Sequence, residues 1–261
     1  MGKSEDLAAR PANIPQAEWA IRVELAALYH VFDYLGWIEM IFNHISARVP
    51  GPERHFLMNP YGLNYGEVTA SNLVKVDLHG NNVEAGPYRG NPAGFAIHGA
   101  IHEHRDDAHC VIHTHTTTGM AIACKEGGLR HDDFNGAILT GKVAYHDFEG
   151  VTVRADERER IAASIGDKEL LILRNHGLCA TGRDIPRALF NYWRLQRACD
   201  IQALGASMAG ADRVLSAEVR AQSIRDSSDF DGSGKTARMF FDALVRRMQR
   251  ERNREYIDFR S

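Results

Sequence analysis

Thirteen of the 261 residues are histidines, and two of them stand two apart in Cys110-Val111-Ile112-His113-Thr114-His115. On a β-strand, residues i and i+2 project from one face with Cα atoms about 6.6–7 Å apart. Imidazoles leaning in from that spacing can meet one cation through metal–nitrogen bonds of about 2.0–2.1 Å. Apolar neighbours disfavour an imidazolium and keep both rings neutral, the form a metal requires. Taken alone, the pair is equally compatible with two hydrogen-bonded structural histidines. His176 follows a second apolar segment, residues 170–174, and precedes Gly177. Strand ends opening into such turns are where sites in α/β proteins collect. Three protein ligands leave a coordination position for water or substrate, the arrangement of a catalytic rather than a structural metal. The remaining histidines carry less. His98 and His102, four apart on a helical segment, share a face and read as packing or hydrogen-bonding groups. His44, His131 and His146 read as loop residues.

The elements that must position these rings follow from periodicity. Ile21, Leu25, Leu28, Phe32 and Leu35 recur at spacings of three and four from Glu18, and Gly36 is placed to end that helix. Short apolar runs at residues 38–42, 56–58 and 73–78 read as strands separated by turns at Pro60-Tyr61-Gly62 and His79-Gly80-Asn81. A helix over 95–105 precedes the strand at 110–115, and another covers 117–125. Asp156 with Glu159 predicts a capping box for a helix over 157–165. Residues 170–174 are a strand, and Asp184 and Pro186 open a long helix over 185–209. Residues 226–235 read as a flexible joint before an arginine-rich helix over 236–254. The expected organisation is a polar arm at 1–16, an α/β domain at 17–209 and a C-terminal helical extension at 210–261.

Composition excludes several function classes. A chain of this length buries a sufficient core without disulfides or structural metals. The 31 Lys and Arg against 34 Asp and Glu give a net charge of -3, with no pull toward nucleic acid or anionic membrane. No apolar run approaches the ~20 residues of a membrane helix, and the polar start resembles no signal peptide. The four cysteines form no Cys-x-x-Cys pair. Reduced thiols in a cytoplasmic protein are expected.

Residues 94–116 (GFAIHGAIHEHRDDAHCVIHTHT) and 174–182 (RNHGLCATG) resemble, in order, the motifs of the class II aldolase/adducin family. The resemblance spans about 17–209. It implies a three-layer α/β/α domain around a mostly antiparallel sheet, assembled as a homotetramer with sites at subunit interfaces. It also implies zinc, or another divalent metal such as Mn2+ or Fe2+, on His113, His115 and His176. Asn43, in Phe42-Asn43-His44-Ile45-Ser46, resembles a substrate-holding asparagine of the family. Gly62, in Met58-Asn59-Pro60-Tyr61-Gly62, matches the glycine of a phosphate-contacting turn. Tyr145 falls where the family's aldolases carry a tyrosine that acts as an acid in a neighbouring subunit's site.

One departure matters. Where those aldolases carry Ser-Ser-Glu, two phosphate-binding serines and a metal-binding catalytic base, this sequence has Pro92, Ala93 and Gly94. A sugar phosphate is therefore not expected, and a non-phosphorylated oxo- or hydroxy-acid is. The resulting reading is a divalent-metal-dependent lyase, of aldolase or decarboxylase type, acting through a metal-stabilised enolate that Tyr145 protonates. Decarboxylation suffers least from the missing base, because no proton leaves carbon. Two alternatives stand beside it: a non-heme iron oxygenase on the same histidines, and a non-catalytic, cytoskeletal module like the family's adducin branch. The expected partners are a small-molecule substrate and further copies of the chain, with neither nucleic acid nor membrane.

Overall fold

A computed structural model describes residues 10–152, 154, 156–231 and 234–252. Helix α1 (Gln16–Leu35) buries the stripe containing Leu25, Leu28 and Phe32, and it ends where the periodicity ends. Gly36 takes the left-handed conformation there (φ 71°), and the Gly36 and Trp37 N–H groups close onto the carbonyls of Asp33 and Phe32. Seven strands follow: β1 (His44–Arg48), β2 (Phe56–Met58), β3 (Val74–Val76), β4 (Cys110–Thr114), β5 (Val143–His146), β6 (Leu170–Leu173) and β7 (Gly177–Gly182). They form one sheet in the order β3-β2-β1-β4-β7-β6-β5. Every pairing is antiparallel except that of β5 with β6.

The other helices are α2 (Pro92–His104), α3 (Thr117–Ala123), α4 (Phe134–Ile138), α5 (Glu157–Ile165), α6 (Ile185–Gly205), α7 (Ala217–Asp231) and α8 (Lys235–Arg252). Strand alternation divides the core into two layers. Ile45, Ile112, Ile172 and Ala180 pack with α1, α6 and α8 on one face, while Val111, Leu171 and Cys179 pack with α2 and α5 on the other. This is the expected α/β/α arrangement with C-terminal helices. The buried Tyr29 hydroxyl accepts the N–H groups of Ile45 (3.1 Å) and Asn59 (2.9 Å), fixing α1 to the strands beneath it. The arginine-rich helix α8 buries Phe241 and Met248 and pairs Arg238 with Glu24 and Arg252 with Asp33 of α1.

Several local expectations change. Residues 38–42 form no strand: Met40 is left-handed (φ 48°), Met40 and Phe42 are exposed, and pairing begins at His44. Register decides this, because β1 places Ile45 and Ala47 in the core opposite Ile112 and Cys110. His44 and His146 therefore lie on strands, not loops. Residues 226–231 complete α7 instead of forming a flexible joint. Asp156 makes no side-chain cap; its carboxylate pairs with Arg160. Strands β5 and β7 and helix α4 are additional elements. Residues 1–9 of the expected arm and 253–254 of the expected last helix lie outside the described residues.

Candidate metal centre

Strand β4 carries His113 on the face that holds α2 and α5, opposite Cys179 of β7, and His115 follows just beyond the strand. His176 enters from the turn between β6 and β7. That turn is set by a left-handed Asn175 (φ 55°), whose N–H reaches Ala123 O, and by the bond from His176 N–H to Leu173 O. Gly177 permits the approach. A Cβ there would lie 2.3 Å from the Thr114 carbonyl and 3.0 Å from the His115 ring. The three rings meet with centroids 4.7, 4.8 and 4.9 Å apart, and one nitrogen from each lies within 4.8 Å of the other two.

Their hydrogen bonds settle which nitrogens carry protons. Nδ1 of His113 lies 3.0 Å from the carbonyl oxygen of Leu178, which only accepts, so Nδ1 donates and Nε2 is bare. Nδ1 of His115 lies 2.5 Å from a carboxylate oxygen of Glu39, to which it donates, so a neutral ring there presents an Nε2 without a proton. These two Nε2 atoms are 2.9 Å apart. Two lone pairs facing each other at that distance repel unless a proton or a cation lies between them. Burial, with the other histidines nearby, holds His113 well below the usual imidazole range and brings His176 to about 4, so both are neutral at pH 7. Neutral imidazoles with outward partners on Nδ1 are the donor set of a divalent transition metal. A metal fits this cluster.

The cluster opens into a cavity of about 500 Å³, lined on its other sides by Phe42, His44, Tyr61, Ile97, Met120, Phe148 and Val151 among others. Among the described residues, no lysine or arginine lines the cavity. Asn43 borders the cluster from behind, its Oδ1 accepting the His115 N–H at 3.0 Å and its Nδ2 donating to Trp37 O at 3.3 Å. Gly62 (φ 100°) follows Tyr61 at the cavity wall. Tyr145 is not brought to the histidines of its own chain. It faces the α1 and α6 side of the sheet, its hydroxyl accepts the Leu129 N–H at 3.0 Å, and Arg174 sits over its ring at 4.6 Å. His98 and His102 are buried and hydrogen-bonded, as expected, and His131 bonds the Gly136 carbonyl. Sequence reasoning missed Glu39, which lies 76 residues from His115 with no spacing signal to join them. It also passed over His44, whose place on the cavity wall depends on the unpredicted strand β1.

The class II aldolase and adducin N-terminal domain model matches residues 23–203. A Caulobacter vibrioides protein, itself only provisionally described as a class 2 aldolase, is 45% identical over 239 residues, covering 92% of this chain and 93% of its own. Rat alpha-adducin is 42% identical over 198 residues, 75% of this chain but 27% of the adducin. The solved structure of L-fuculose 1-phosphate aldolase from Glaciozyma antarctica superposes with a TM-score of 0.80 at 25% identity, covering 97% of each chain.

Proposed function

The chain belongs to the class II aldolase and adducin family, and from that membership we propose that it is a divalent-metal-dependent lyase. Its substrate in this reading is a small, non-phosphorylated oxo- or hydroxy-acid. The observation that carries the proposal is the convergence of the Nε2 atoms of His113 and His115, 2.9 Å apart, beside the neutral His176 and open to the cavity. A non-catalytic module has no use for such a convergence, which is electrostatically unfavourable when empty. A divalent ion held by His113, His115 and His176, zinc being the first candidate, would supply a Lewis acid for a substrate carbonyl and for the negative charge left by carbon–carbon cleavage.

The chain's own residues then do three things. Glu39 and the Leu178 carbonyl orient the imidazoles. Phe42, Phe148, Met120 and Ile97 give the cavity apolar walls and offer no counter-charge to a phosphate dianion, which favours a substrate with a single carboxylate over a phosphate ester. Asn43 and Gly62 border the substrate. In a cytoplasmic homotetramer, Tyr145 serves a neighbouring subunit's site as the acid. Its hydroxyl accepts from Leu129, so its own proton has no acceptor among the described residues and is available to donate.

The test is metal analysis of protein purified without chelator, followed by a screen of hydroxy- and oxo-acids for carbon dioxide or aldehyde release. About one divalent ion per chain and a product lost on His113→Ala are expected. Absence of stoichiometric metal, or activity untouched by His113→Ala, overturns the reading. Oxygen consumption with iron but not zinc replaces it with an oxygenase.

A further inference from the structure

His44 lies directly across the sheet from His113, with ring centroids 5.0 Å apart, and its ring faces the cavity. Behind it runs an unbroken chain of buried hydrogen bonds. Nδ1 of His44 meets Nε2 of His98 at 2.8 Å, and Nδ1 of His98 meets Oγ of Ser46 at 2.6 Å. The same Oγ meets Nε2 of His102 at 2.7 Å, and Nδ1 of His102 meets the Ala108 carbonyl at 2.9 Å. That last carbonyl can only accept, and every proton in the chain follows from it. His102 carries its proton on Nδ1, so its Nε2 accepts from Ser46. The Ser46 oxygen in turn accepts from Nδ1 of His98, whose bare Nε2 accepts from Nδ1 of His44. The end of the chain is a bare Nε2 on His44, with no hydrogen bond among the described residues.

Gly94 makes room for this ring. A Cβ at that position would lie 2.6–2.7 Å from His44 Cδ2, Cγ and Nε2, so any other residue there displaces the imidazole. Position 94 is also where the sequence shows no side chain to act as a base.

We propose that His44 is the proton acceptor of the site, and that Ser46, His98 and His102 are positioning residues that impose its tautomer. The inference rests on the lyase reading and narrows it to retro-aldol cleavage of a β-hydroxy acid or β-hydroxy carbonyl compound. His44 Nε2 takes the hydroxyl proton and the O–H electron pair becomes the second bond of an aldehyde or ketone. The carbon–carbon pair passes to the fragment that bears the polarised carbonyl, as an enolate. Tyr145 protonates that carbon, His44 releases its proton to water, and water reprotonates the phenolate, so no proton is gained or lost overall.

Long-range ¹H–¹⁵N correlation on histidine-labelled, metal-free protein reads the tautomers without any catalysis. His44, His98 and His102 are all expected with protons on Nδ1, although free imidazole side chains favour Nε2 in water. Ser46→Ala should shift His44 toward the Nε2–H form, and Gly94→Ala should do so by moving the ring. A proton on Nε2 of His44 in the unmodified protein overturns the proposal. In zinc-loaded protein, 3-hydroxybutyrate should move the His44 Nε2 resonance and butyrate should not; no difference between the two overturns it also. His44→Gln should leave zinc affinity within a few-fold. A loss of the roughly 10–100-fold typical of a disturbed ligand shell would make His44 a metal ligand and overturn its role as acceptor. Failure of the unmodified protein to bind any divalent ion, zinc included, would instead strike the lyase reading, while the tautomer result still decides the state of His44.

Discussion

Glu39 and His115 are 76 residues apart in sequence, yet a Glu39 carboxylate oxygen lies 2.5 Å from Nδ1 of His115. The contact turns the ring so that Nε2 faces His113, and it raises the basicity of the nitrogen that would meet a cation. Carboxylate partners of this kind contribute about 10–100-fold to metal affinity. Glu39→Gln retains an acceptor but loses the charge. It should weaken zinc binding by about 10-fold or more in a chelator competition, with little change in folding, because Glu39 is half exposed. Unchanged affinity would show that Glu39 merely neighbours the ring.

Gly177 is tested by its smallest enlargement. The Cβ of Gly177→Ala would fall 2.3 Å from a backbone oxygen of β4, which cannot rotate away, so β4 and β7 must separate. Overpacking of this kind costs about 1–3 kcal/mol. Because the displaced strand carries His113, zinc binding should fall together with the urea midpoint. A stable variant with full zinc affinity would contradict the close approach.

Acid should destabilise the metal-free protein well before its carboxylates titrate. Burial pushes His102 down to about 3, and burial together with His102 holds His98 well below its ordinary range. Both are depressed relative to about 6.5 in the unfolded chain. Between those values the unfolded state binds more protons, so stability is complete above about pH 6.5 and declines as pH falls below it. At pH 5 the His102 contribution alone amounts to a loss of about 2 kcal/mol. Urea unfolding of metal-free protein at pH 7.5 and pH 5 measures this. His102→Gln should flatten the pH slope even if it lowers stability throughout, and an unaltered slope would mean that the ring is not held neutral.

What the sequence made legible was what repeats or lies close together. The three-to-four spacing from Ile21 to Leu35 defined α1 to its glycine, and the two-residue spacing of His113 and His115 sufficed to put both rings on one side of β4. His176 was readable because an apolar strand ended beside it. The strand expected over 38–42 does not form because its apolar residues are loop residues, Phe42 lining the cavity, while the true strand β1 carries polar side chains, His44 and Ser46, on one face. Those side chains are polar because they face His98 and His102 rather than a hydrophobic layer. A hydrogen-bonded chain drawn from a strand and a helix far apart in sequence leaves no period to detect, and the same holds for Glu39.

Tyr145 separates structural from catalytic cost. Its hydroxyl accepts the Leu129 N–H, and Tyr145→Phe leaves that donor without a partner in a half-buried position. An unsatisfied group costs about 1–3 kcal/mol, so a modest fall in the urea midpoint is expected. Zinc affinity should not change, because Tyr145 and the three histidines occupy opposite faces of the sheet in one chain. If Tyr145 supplies the acid to a neighbouring subunit, cleavage should drop by about 10²–10⁴-fold, the range of a lost general acid. A mixing experiment then locates the site. Tyr145→Phe and His113→Ala subunits, each inactive alone, should recover activity when unfolded and refolded together, since some interfaces pair an intact tyrosine with an intact histidine cluster. No recovery in assemblies shown to be mixed would place the acid within a single chain and exclude Tyr145 from that role.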